Sequence, residues 1–140
     1  MYEKLLYPVD GSDLSLVALP HVAEIARASG ATVTVLQAVE IVTEADAITV
    51  PERRGEADES IHRIVASLRD QGVTVAAPRV IEGDAGRSIV EAADADAADL
   101  VIMATHGRSG LRRLALGSVA DYVVGHASCP VLLIRPPQDG

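Results

Sequence analysis

The sequence predicts an α/β fold: a parallel sheet with helices on both faces. Three observations carry this. Five short apolar runs end near Val9, Val39, Ile81, Met103 and Ile134, and most are continuous rather than alternating, as in strands buried on both faces. Between them lie four stretches with apolar residues every three or four positions, the helical period. Strand and helix therefore alternate along the chain, which gives parallel strands joined by right-handed crossovers. In such a sheet the ligand crevice lies outside the strand carboxyl ends, where the strand order reverses.

The first strand starts near Glu3 and runs through Leu5-Leu6-Tyr7-Pro8-Val9 to Asp10-Gly11-Ser12. Asp10, at a strand's carboxyl end, serves either a ligand or the turn that follows. Leu14, Ala18, Val22, Ile25 and Ala26 share one face of a helix from about Asp13 to Ser29. Pro20 within it kinks the helix or delays its regular start, and Gly30 ends it. The second strand is Thr32 to Val39. Glu40 to Val50 reads as a surface loop, either an ordinary connection or one lying over a ligand. Pro51 suits the first turn of the second helix, whose stripe is Ala57, Ile61, Ile64, Val65 and Leu68, with Gly72 as its stop. His62, one position off that stripe, reads as structural.

The third strand spans Val73 to about Ile81, and Pro78 inside it places it at a sheet edge. Gly83 to Ser88 superficially resembles a phosphate loop. Asp84 there reads as a helix N-cap, however, and its carboxylate would repel a phosphate. The third helix carries Ile89, Val90 and Ala93, with Ala97 as the last candidate of its stripe. The fourth carries Val119, Val123 and Ala127, with Ala120 and Val124 beside them. Val131-Leu132-Leu133-Ile134 is the fifth strand, and Arg135-Pro136-Pro137 stops it.

The chain is organised around Leu100 to Ser118, LVIMATHGRSGLRRLALGS. A buried strand gives way to Ala104-Thr105-His106-Gly107, then to a loop with Arg108, Arg112 and Arg113, then to Gly117-Ser118 and a helix from Val119. A helix N-terminus offers free N–H groups and partial positive charge to an anion. Gly107 and Gly117 allow backbone to approach a phosphate where a Cβ would collide. The stretch reads as a nucleotide-phosphate cradle. It is neither a Walker loop, since no Gly-Lys-Ser/Thr occurs, nor the dinucleotide fingerprint of three glycines within six residues.

Composition bounds the rest. At 140 residues the chain suits one domain, expected to span 1–140. Hydrophobic residues make up 49% without any Phe or Trp, so the core is built of Val, Ile, Leu and Ala. Twenty acidic against twelve basic residues leave a net charge of −8, which argues against a nucleic-acid or anionic-membrane partner. The lone Cys129 excludes an internal disulfide and reads as a buried, inert thiol in a reducing compartment. No signal peptide is read at the start, and no apolar run approaches the ~20 residues of a membrane span. The expected location is the cytoplasm.

Four pieces of the chain together resemble the universal stress proteins. They are Leu6-Tyr7-Pro8-Val9-Asp10-Gly11-Ser12, Gly83-Asp84, Ala98 to Arg108 (ADLVIMATHGR), and Gly117-Ser118 followed by Cys129-Pro130-Val131-Leu132-Leu133-Ile134. The resemblance covers the whole chain in order. It implies a Rossmann-like sheet, akin to the adenine nucleotide alpha hydrolases, of strand order 3-2-1-4-5. It also implies a homodimer joined through the last strand, Val131 to Ile134. The family divides into members that bind ATP and members that lack its glycine motif. That motif is a glycine, two residues, a glycine, nine residues, then glycine with Ser or Thr. Gly107 and Gly117-Ser118 match it, and Ala104 departs at its first position. Alanine fits there if its φ is negative and hinders binding if its φ is positive.

Carried over residue by residue, the resemblance assigns Pro8, Val9 and Asp10 to the adenosine and Val39 to the adenine pocket. Met103 and Ala104 follow the ribose. His106, Gly107 and Arg108 form the phosphate loop, and Gly117, Ser118 and Val119 the helix N-terminus that grips the phosphates. Mg would travel with the ATP. Three functions are compatible with this: an ATP-binding stress-response regulator or sensor, a slow ATPase or phosphotransferase, and a nucleotide-free dimer acting through interactions alone. Dedicated catalysis is not supported, since His106 is the one nearby base and reads as a packing or ligand-bonding group.

Overall fold

A computed structural model of the protein describes residues 1–40, 44–105 and 117–137, of which 44–50 by backbone alone. Its elements are β1 (Lys4–Val9), a 3-10 turn (Leu14–Ala18), α1 (Leu19–Ser29), β2 (Thr32–Val39), α2 (Glu44–Asp70), β3 (Thr74–Val75), β4 (Arg79–Glu82), α3 (Ala85–Ala95), β5 (Leu100–Ala104), α4 (Ser118–His126) and β6 (Val131–Ile134). The strands form one sheet in the order β3-β2-β1-β5-β6, with β4 also on β2, and every ladder is parallel. β3 and β4 are the two halves of the third strand, parted around Pro78, so the order is 3-2-1-4-5 as the resemblance implies.

Side-chain alternation along β1 divides the core into two layers. Leu5, Tyr7 and Val9 point to the face covered by α1 and α2, where they meet Val22, Ala26, Ile61 and Leu68. Leu6 points to the other face, where Leu36, Val101 and Met103 pack under Ile89 and Ala92 of α3 and Ala120 and Val123 of α4. Tyr7 is fully buried. Its hydroxyl donates to the Ser15 carbonyl at 2.9 Å, and burial pushes its pKa far up. The bond holds the 3-10 turn down on the sheet. Pro20 delays the regular helix as expected: α1 starts at Leu19 with the proline in its first turn.

Three expectations are corrected. The segment from Glu40 to Val50 is not a loop throughout: residues 41–43 lie outside the described residues, and α2 begins at Glu44 with Pro51 in its interior. The proline removes one N–H that would reach the carbonyl four residues back. The helix nonetheless runs on through it, although Ile48, Thr49 and Val50 just before it are β-branched and only modest helix formers. Ala97 is not on α3, which ends at Ala95; it takes φ 52° in the turn that follows. Val124 is 49% exposed, because the buried stripe of α4 passes through Ala120 and Val123 instead.

The sheet opens where a ligand is expected. The Glu3 carbonyl accepts from Thr32 N–H and the Lys4 carbonyl from Asp99 N–H. Successive residues of a strand bond to opposite sides, so even-numbered residues of β1 face β5. The β1–β5 ladder pairs Leu5 with Leu100 and Leu6 with Val101 and goes no further, whereas β1 stays paired with β2 to Val9. The next residue due to face β5 is Pro8, which has no N–H to give. Beyond it the two strands part.

Asp99 ties the opposite end of this strand pair. Its Oδ2 accepts from the backbone N–H groups of Glu3 at 2.7 Å and Lys4 at 2.9 Å. These bonds, Glu3's first, hold its carboxyl below the usual range. A carboxyl depressed by folding adds stability above its unfolded pKa of about 3.9 and loses it as pH falls through the folded value. Asp99→Asn is therefore expected to be less stable than wild type in urea at pH 7, with the gap closing in acid, below about pH 4. A gap that is the same at both pH values would contradict this role.

Candidate functional site

The parted ends of β1 and β5 enclose a cavity of about 120 Å³. Pro8, Val9 and Asp10 form one wall, Met103 and Ala104 another, and Gly117, Ser118, Val119 and Ala120 at the start of α4 close it. Leu14 and Ser15 of the 3-10 turn, Leu36 and Ala38 of β2, and Ala85 and Ile89 of α3 complete the lining. A second cavity of about 630 Å³ adjoins it between the end of β2 and α2. Gln37, Val39, Glu40, Arg53 and Ala57 line it, and it shares Asp10, Ala38, Ala85 and Val119 with the first.

Eight of the residues read from the sequence thus meet at one cavity: Pro8, Val9, Asp10, Met103, Ala104, Gly117, Ser118 and Val119. Val39 lines the adjoining one. His106, Gly107 and Arg108 lie outside the described residues, as do Arg112 and Arg113.

Two open questions of the sequence are answered by geometry. Asp10 does serve the turn: its Oδ1 accepts from the Ser12 backbone N–H at 2.9 Å and from the Ser12 hydroxyl at 2.5 Å. It is exposed and walls both cavities as well. Ala104 ends β5, and among the described non-glycine residues only Ala97 has positive φ. The methyl group of Ala104 therefore costs no backbone strain.

The two helix starts near the crevice differ in kind. At α3 two of the first-turn donors are taken by side chains. Asp84 accepts from Arg87 N–H at 2.9 Å, and the Glu40 carboxylate accepts from Ala85 N–H at 2.9 Å. The N-cap reading of Asp84 holds. At α4 the N-cap is Gly117, with φ 97° and ψ 148°, and no side chain caps the helix. The first turn of α4 and the positive end of its dipole face the cavity, and among the described residues no side chain accepts from its first N–H groups. The arrangement suits an anion at α4 and a flat apolar group between β1, β2 and α3.

Sequence reasoning missed Leu36, Ala38, Ala85 and Ile89, the apolar floor, and Gln37. The first two were findable, since a strand beside β1 must present its own carboxyl end to the same crevice. Gln37 carried a signal too: it is a polar residue in the apolar run Val35-Leu36-Gln37-Ala38-Val39. Cys129 is half-buried, and burial raises its thiol pKa, which agrees with an inert role. Among the described residues no group of three or more His, Cys, Asp or Glu is placed to hold a metal ion, and no helix is long and apolar enough to cross a membrane.

Comparison with known proteins bears on this site. The model of the universal stress protein family matches residues 1–135. Universal stress protein MJ0531 of Methanocaldococcus jannaschii is 34% identical over 145 residues, covering 99% of this chain and 85% of the relative. The solved structure of MJ0577, a universal stress protein of the same organism, superposes with a TM-score of 0.86 at 29% identity, over 99% of both chains. A universal stress protein solved in complex with cAMP superposes with a TM-score of 0.70 at 27% identity, over 96% of this chain and 97% of that one.

The backbone at Gly117 sits in a region reserved almost entirely to glycine, where other residues cost about 1–3 kcal/mol. The sequence alone suggests that a side chain there would spare the fold, and the observed φ of 97° says otherwise. Gly117→Ala is expected to lose about 1–3 kcal/mol in denaturant unfolding without any ligand. Unchanged stability would mean that the turn into α4 is shaped differently.

Proposed function

The chain belongs to the universal stress protein family, and on that premise we propose that it binds ATP with Mg, one nucleotide per chain, as a dimeric stress-response regulator or sensor. The observation that carries this is the uncapped start of α4, reached through the glycine-only turn at Gly117 and opening on the same cavity as Pro8, Val9 and Asp10. The phosphates lie on the N–H groups of Ser118 and Val119, and the ribose follows Met103 and Ala104. The adenine extends past Asp10 toward Val39. His106, Gly107 and Arg108 complete the phosphate loop in this reading. Mg, a hard cation that keeps water and phosphate oxygens as ligands, comes with the nucleotide. The cAMP complex of a relative supports the adenine nucleotide as ligand class, and the strain-free backbone of Ala104 supports binding despite the missing glycine.

The dimer is proposed through β6. That strand ends the sheet order, and Val131, Leu132 and Leu133 on it are only half-buried. An apolar edge strand left open pairs with another chain, and a second copy of β6 supplies that pairing.

Isothermal titration of the folded protein with millimolar Mg-ATP is expected to show heat at one site per chain, and no heat with folding confirmed would overturn the proposal. Ala104→Gly is expected to leave affinity equal or modestly tighter, because the methyl removes space and adds no strain. A large loss would contradict that placement. Light scattering is expected to give a dimer at roughly tens of micromolar, where a standard-sized interface persists; a monomer there would count against β6 as the interface.

A further inference from the structure

The starts of α3 and α4 both wall the smaller cavity, Ala85 and Ile89 from one helix and Gly117 to Ala120 from the other. Beside the cavity the two helices meet at Gly86 and Tyr122. Gly86 is buried in the first turn of α3, and Tyr122 of α4 is half-buried. A Cβ on Gly86 would stand 2.9 Å from Tyr122 Cδ1, 3.0 Å from its Cγ and 3.1 Å from its Cβ. Carbon atoms in ordinary contact keep about 3.5–4.0 Å. A side chain at 86 therefore overlaps the root of Tyr122, and that Cβ moves only with the backbone of α4. The ring is held as well. It stacks on His126 with centroids 4.0 Å apart and planes 12° apart, and His126 Nδ1 lies 2.8 Å from the Tyr122 carbonyl oxygen.

We infer that the contact between Gly86 and Tyr122 sets the width of the nucleotide crevice, the two acting as positioning residues that hold the first turn of α4 where the phosphates lie. This rests on the nucleotide reading above and deepens it. Neither residue lines the cavity, so both act through the helices that carry them. Ile89 and Ala92 of α3 pack with Ala120 and Val123 of α4 in one buried layer, and a close-packed interior transmits a displacement rather than absorbing it. A methyl group at position 86 pushes the helices apart by roughly 0.5–1 Å. Hydrogen bonds to a phosphate weaken over that distance.

The test measures Mg-ATP affinity by titration on wild type, Gly86→Ala, Gly125→Ala and the double variant Gly86→Ala/Tyr122→Ala. Gly125→Ala adds the same methyl group to α4 where nothing lies within 4 Å, and it is expected to bind as wild type does. Gly86→Ala is expected to bind about tenfold more weakly, the worth of roughly one hydrogen bond to a charged group. The double variant removes the ring and leaves only the 3.1 Å contact, so it is expected to recover most of that loss. Equal affinity of Gly86→Ala and wild type overturns the proposal. So does a loss that the double variant fails to recover, or one that Gly125→Ala shares. A second readout needs no ligand. In crystals grown without nucleotide, the start of α4 in Gly86→Ala is expected to stand farther from α3 than in wild type by roughly 0.5–1 Å. Unmoved helices overturn the spacing role whether or not ATP binds. A wild type that binds no ATP, with the shift present, overturns the nucleotide reading and leaves the spacing role standing.

Discussion

A helix that starts in a crevice with nothing to accept its first N–H groups is an unfinished structure. Each bare donor costs free energy when buried and is inexpensive only if water or a ligand can reach it. Among the described residues, α4 is such a helix. Its cap is a glycine in a conformation few other residues tolerate, and no side chain among the described residues closes it. The neighbouring α3, which borders the same cavity, spends Asp84 and Glu40 on its own N-terminus. Two helix starts side by side, one sealed and one open, give the crevice its polarity.

The opening depends on the sheet. β1 lies at the centre of the strand order, with β2 on one side and β5 on the other, and the two neighbours treat it differently. β2 follows it to its end, while β5 leaves after Leu6. Pro8 is tolerated in a central strand because its missing donor falls on the side where the ladder has already ended. The aliphatic core on both faces keeps the strand in place, and Tyr7 anchors the 3-10 turn that roofs part of the cavity. Strand-order reversal, proline and turn thus act at one point, and the ligand crevice is their consequence.

Most of the architecture was legible in the sequence because buried parallel strands leave continuous apolar runs and their helices leave a clear period. Leu100 to Met103 and Val131 to Ile134 needed nothing more than their composition. The delayed start of α1 could be read from Pro20, since proline fits a first turn and little else in a helix. The same rule misled at Pro51, which lies inside α2 although the β-branched Ile48, Thr49 and Val50 before it favour a helix only weakly. The site was legible where backbone chemistry marked it, at Gly117, Ser118 and Asp10. It was hidden where contribution depends on which face of a strand a residue takes, as with Leu36, Gln37 and Ala38. Whether Ala104 was tolerated depended on a dihedral angle that no sequence prints.

The claim at the centre is that the first turn of α4 receives the phosphates. Amide hydrogen exchange measured with and without saturating Mg-ATP tests it most directly. The account predicts that the amides of Ser118, Val119 and Ala120 exchange markedly more slowly in the presence of nucleotide, together with those at the carboxyl end of β1. Saturating nucleotide that leaves these amides unchanged while protecting another part of the molecule would contradict it.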